Sequence, residues 1–242
     1  MGCTFGFETP QAVSAVLQVA PSGHDLQVRA ERWDTGAEHH EYIDLYGNRC
    51  ERVTIPAGAS RLVYEAEVAL SSPSDRIAPG TPETPIMALP DELGHEAWQR
   101  FGSLPPGWTR VQAIVDFVHG HLEWVAGASN PWTTAVDAYR AGQGVCRDFA
   151  HLAITFCRAL NIPARYVCGY IPEIDVPLPA EPMDFAAWFE VYLDGEWHTF
   201  DARNNRRRVG RVVVGRGRDA VDVALITSFG AVTLTEFEVR AA

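Results

Sequence analysis

The segment Gly144-Val145-Cys146-Arg147-Asp148-Phe149-Ala150-His151 constrains this chain more than any other. A glycine-ended loop delivers a cysteine to the start of a helix. From Phe149 the apolar residues Phe149, Leu152, Ala153, Phe156, Cys157 and Leu160 recur at helical spacing, so one face turns inward. Cys146 then stands in the first turn, where unpaired N–H groups and the helix dipole favour an anion. That placement predicts a thiol with a lowered pKa, and the thiolate is the reactive form. The competing reading is a small buried residue, the usual fate of a free cysteine. Asp148, in the same turn, reads as a dipole partner or a loop-anchoring carboxylate.

Two further blocks follow in order. The first is Pro163-Ala164-Arg165-Tyr166-Val167-Cys168-Gly169-Tyr170, and the second is Ala187-Trp188-Phe189-Glu190-Val191-Tyr192 with Trp197-His198-Thr199-Phe200-Asp201. Together with the cysteine block they resemble the bacterial transglutaminase-like superfamily, from about Leu104 to Phe200. Upstream, Asp44-Leu45-Tyr46-Gly47-Asn48 is similar to a turn of the β-rich domain that precedes the core in such proteins. The resemblance implies a cysteine attacking an amide carbonyl, a histidine as general base and an aspartate orienting it. Cys146 matches the nucleophile and Asp201 the orienting carboxylate. The histidine does not match, because the His-Ala-Trp pattern reads Ala186-Ala187-Trp188. Phe185 cannot take a proton, and Asp184 is assigned to the opposite face from position 186. His198 points to the other face from Asp201 by strand alternation, so it reads as a surface polar residue unless a bulge brings it round as a replacement base. His151 lies about 140° around the helix from Cys146. Two readings stay open: a cysteine-nucleophile protein acting on peptide or glutamine amides by hydrolysis or acyl transfer, and a catalytically silent peptide-binding module.

The rest of the chain sets the frame. A short apolar run at 12–19 and alternating runs at 26–31, 50–55 and 61–68 predict an antiparallel β-rich domain over residues 1–72. Prolines 73, 79, 82, 85 and 90 mark residues 73–90 as a linker. The core domain is assigned to 91–242: helices over about 109–122, 131–139 and 146–160, then strands near 165–170, 188–193, 196–201 and 211–215. Thr109 and Gln112 have the spacing of a capping box. The fold class is therefore α+β, a papain-like transglutaminase core preceded by a small β-rich domain.

Net charge is −11, which argues against nucleic acid or an anionic membrane as partner, while the resemblance implies a peptide or protein substrate. Seven arginines between Arg203 and Arg218 are a local exception. They read as a solvated strand pair balancing nearby carboxylates, with attraction of an acidic peptide as the alternative. Five cysteines without paired spacing suggest no disulfide framework. His39-His40 makes a poor chelate on a strand, so no metal and no cofactor is expected. Without a signal-like start or a long apolar run, the expected compartment is the cytoplasm.

Overall fold

The computed structural model describes residues 1–23, 26–36, 38–70, 91–174, 176 and 182–241. The proline-rich stretch assigned as a linker, residues 73–90, lies outside the described residues. The first part supplies strands β1 (Gly2–Thr9), β2 (Val13–Leu17), β3 (Leu26–Asp34), β4 (His39–Ile43), β5 (Arg49–Ile55) and β6 (Gly58–Leu70). Then come α1 (Asp91–Phe101), α2 (Trp108–His121), β7 (Glu123–Trp124), α3 (Ala135–Ala141), β8 (Gln143–Gly144) and α4 (Cys146–Ala159). The chain closes with β9 (Ala164–Tyr170), β10 (Ala186–Leu193), β11 (Glu196–Phe200), β12 (Val212–Gly217), β13 (Ile226–Ser228) and β14 (Thr233–Arg240). This is the α+β class that the sequence implied, with antiparallel sheets and few helices.

The core sheet has the order β11-β10-β9-β12, and α4 packs across β9 and β10. Helix α4 is almost wholly enclosed because α1, α2 and α3 cover the face that the sheet leaves free. Leu152, Phe156 and Cys157 are fully buried there, and each large apolar side chain so enclosed contributes roughly 2 kcal/mol. Phe156 meets the edges of the Phe101, Phe117 and Tyr139 rings. Arg158, also buried, donates to the carbonyls of Ala164 and Arg218 and so ties the helix end to the sheet. In β9, Gly169 leaves room for the Val212 carbonyl and the Trp188 ring, since a Cβ there would stand 2.1 Å and 2.8 Å from them.

Two corrections concern boundaries. The C-terminal segment does not complete the core as the 91–242 assignment supposed. Strand β14 pairs with β1, and β13 pairs with β2, so the first part's two sheets read β14-β1-β6-β3 and β13-β2-β5-β4. The apolar positions of 233–240 pair with Phe5 and Phe7 far away in sequence, a match that local periodicity cannot reveal. Helix α2 begins at Trp108 with Gly107 as its cap and no side-chain cap bond, so Thr109 and Gln112 form no capping box. Gln112 instead donates to Asp116 and Asn205. A capping box does open α3, where Thr134 and Asp137 exchange bonds.

One apolar core runs through both parts. The Asp44–Asn48 turn pins them together. Asp44 accepts from the N–H groups of Tyr46 and Asn48, and Asn48 then bridges to β12, accepting from Arg216 N–H and donating to Arg216 O, each at 2.7 Å.

Candidate active site

Helix α4 starts at the thiol for local reasons. Asp148 accepts from the Val145 N–H at 2.7 Å, anchoring the loop to the first turn as its position suggested. Residue 144 must be glycine, since a Cβ there would stand 2.7 Å from the Asp148 Cβ. Strands β7 and β8 set Trp124 opposite Gly144, at the entry to Cys146.

Cys146 is half-buried and donates from Sγ to the Phe185 carbonyl at 3.7 Å. The β10–β11 ladder begins only at Phe189 and Phe200, so the backbone at 185–187 lies beyond it. The sulfur occupies that uncovered strand edge. Burial raises its pKa, Arg203 lowers it, Asp184 raises it, and backbone hydrogen bonds from Ala187 and Arg147 lower it. The lowered pKa expected from the helix start is thus overturned, because desolvation outweighs the dipole and the nearby N–H groups. The buried thiols fare no better: Cys157 is pushed up to about 12, and Cys168 well above its usual value.

Position 186 holds a buried alanine beside Val167, Ile171 and Trp188. Asp201 is buried and, among the described residues, orients no imidazole. It accepts from Asn204 N–H and Nδ2 at 2.9 Å and 2.7 Å and from Arg211 Nη2 at 2.8 Å. Arg211 in turn lies over the Trp188 ring.

The histidines weighed as replacements stand elsewhere. His198 stacks near Trp108 and donates to the Leu193 carbonyl. His151 accepts the Ala220 N–H on Nε2, and burial pulls its pKa down to about 4. His119 donates to the carbonyls of Ala202 and Arg203, fixing the turn after Asp201.

Two residues that the sequence reading did not place at the site, Asp184 and Arg203, belong there. Asp184, just before β10, lies near enough to Cys146 for its charge to raise the thiol pKa. Burial raises its pKa, while its bond from Phe185 N–H and the charge of Arg203 lower it. Arg203 lies over Trp124, 4.7 Å from the ring centroid. Continuing the β10–β11 register would set Arg203 across from Ala186, although the chain turns after Phe200. That register count was the available signal for Arg203. The arrangement can hold a thiol and a cation beside an open strand edge.

Residues 98–202 match the family model described as the transglutaminase-like superfamily. ML0607 of Mycobacterium leprae, an uncharacterized protein, is 26% identical over 197 residues, 79% of this chain and 69% of that one. Rv2569c of Mycobacterium tuberculosis, also uncharacterized, is 36% identical over 123 residues. There the match takes in 47% of this chain and only 39% of the relative. Among solved structures, a candidate cysteine protease from Cytophaga hutchinsonii superposes with a TM-score of 0.84 at 27% identity, over 99% of this chain and 88% of that one. With the cysteine block, the sheet order and these matches agreeing, residues 98–202 form a transglutaminase-like superfamily core with a cysteine-protease-like fold.

Proposed function

We propose that this chain receives a peptide or glutamine amide in the Cys146 cleft, and that its hydrolysis or acyl transfer through a thioester is weak or lost. The observation carrying this reading is the company Cys146 keeps: a carbonyl, a carboxylate and a guanidinium, with alanine where the resemblance calls for the base. A thiol attacking an amide must lose its proton, and the departing amine must gain one. A guanidinium cannot accept a proton, and the Asp184 carboxyl, even raised by burial, is far less basic than the thiolate it would have to generate. Binding and positioning outlast the loss of the base, so a silent peptide-binding module is the limiting form of the same proposal.

The test restores the base. Ala186→His should raise amidase or glutamine–amine transfer activity by roughly 10²–10⁴-fold over the unmodified protein, the usual worth of general acid–base assistance. His198→Ala should change nothing. Loss of a measurable basal activity in His198→Ala would make His198 the working base and sink the proposal.

A further inference from the structure

The seven arginines between 203 and 218 divide into two sets. Arg208 pairs with Glu173 at 2.7 Å, Arg211 with Asp201 at 2.8 Å, Arg216 with Glu190 at 3.1 Å and Arg218 with Asp222 at 2.8 Å. These four balance carboxylates and are accounted for. Arg203, Arg206 and Arg207 make no ion pair and no side-chain hydrogen bond among the described residues. All three sit on the turn that follows β11, with Arg206 and Arg207 exposed and Arg203 half-buried.

Arg203 is the inner member. Its guanidinium lies over the Trp124 ring, 4.7 Å from the centroid, and the strand partner of Trp124, Gly144, stands two residues before Cys146. That contact spends none of the guanidinium's N–H donors, and a guanidinium with free donors can receive a carboxylate with two parallel bonds. Its backbone carbonyl is held by His119 at 2.9 Å, so the residue is set in place before any ligand arrives. Two acidic groups face the turn: Asp184, beside the thiol, and Asp116, which is occupied by Gln112 and Asn205. Neither forms an ion pair with these arginines. On a chain of net charge −11, three cations gathered on one turn without an ion pair among the described residues mark a local preference for anions.

The geometry points to an acidic peptide as the occupant of the Cys146 cleft, one carboxylate seated on Arg203 and others steered by Arg206 and Arg207. This rests on the reading that the cleft takes a peptide, and adds the charge that the peptide carries. Arg203 is here a specificity-determining residue, acting on the substrate's carboxylate and not on the reacting amide.

The test uses three fluorescein-labelled hexapeptides sharing a central glutamine, with glutamate, serine or lysine at the flanking positions. Two readouts are taken on the whole protein: fluorescence anisotropy, and protection of Cys146 from iodoacetamide followed by mass spectrometry. The glutamate peptide should bind and protect best, and binding should weaken as salt rises. Arg203→Gln should weaken it roughly 10- to 100-fold, the span of a hydrogen bond to a charged group, and abolish the preference over the serine peptide. Arg203→Lys should fall between, since it keeps the charge and loses the paired donors. Arg206→Gln and Arg207→Gln, on exposed side chains, should each cost up to roughly fivefold. Equal binding and equal protection by all three peptides would overturn the acidic preference while leaving a peptide cleft. Binding of the glutamate peptide without protection of Cys146 would also overturn it, by putting the site elsewhere. Failure of every peptide to protect Cys146 would remove the peptide cleft itself.

Discussion

Asp201 is committed to Arg211, Oδ2 to Nη2 at 2.8 Å, with both side chains buried. A carboxylate that the family resemblance would give to a histidine is instead neutralised by a guanidinium. Removing one partner of a buried pair strands the other charge, which costs about 3–5 kcal/mol. Arg211→Met should therefore destabilise the protein by that amount in urea unfolding. A loss below about 1 kcal/mol would show that the pair is not holding Asp201.

Labelling should rank the cysteines by exposure. Cys146 is half-buried, while Cys3, Cys50, Cys157 and Cys168 are buried. Its thiol pKa is raised, so alkylation at neutral pH should run slower than for a free cysteine and climb as pH rises. It should still outpace the other four. Asp184→Asn removes a charge that opposes the thiolate and should move the inflection to lower pH; Arg203→Gln should move it higher. Opposite shifts in an iodoacetamide rate profile would refute this account of the site's electrostatics.

His151 should make the protein acid-sensitive. Its folded pKa, about 4, lies below the ordinary 6.5, because burial disfavours the imidazolium. As pH falls the unfolded chain takes up the proton first, so stability drops between about 6.5 and 4. The whole gap corresponds to about 3 kcal/mol. His151→Gln should flatten that part of the slope when urea midpoints at pH 7.5 and 4.5 are compared. An unchanged slope would assign the acid loss to other groups.

Asn48 joins the β-rich part to the core sheet through both backbone groups of Arg216. Asn48→Ala would leave those groups without a partner and remove one of the donors to Asp44, at a cost of roughly 2–4 kcal/mol. Thermal unfolding should show a lower midpoint. If the midpoint is unchanged, water or another side chain can replace the bridge.

Much of the architecture is written locally. Apolar spacing at 3.6 residues marks α4, and alternation marks β5 and part of β6, because burial of one face is a property of a short stretch of chain. The cysteine at a helix start and the alanine at 186 are likewise plain from the residues alone. Strands β1, β13 and β14 escaped that reading. β1 is buried on both faces and so lacks alternation, while the other two are defined by partners more than two hundred residues away. The electrostatics of the site were also beyond local inference. A helix start predicts a stabilised thiolate, yet the packed surroundings of Cys146 exclude water and outweigh that effect. Which arginines of the basic segment are spent on carboxylates, and which remain free, was decided only when β9, β10 and β12 came together around Glu190 and the turn after β11 closed over Trp124. Sequence determines which charges a chain carries; pairing depends on distance, and distance belongs to the tertiary fold.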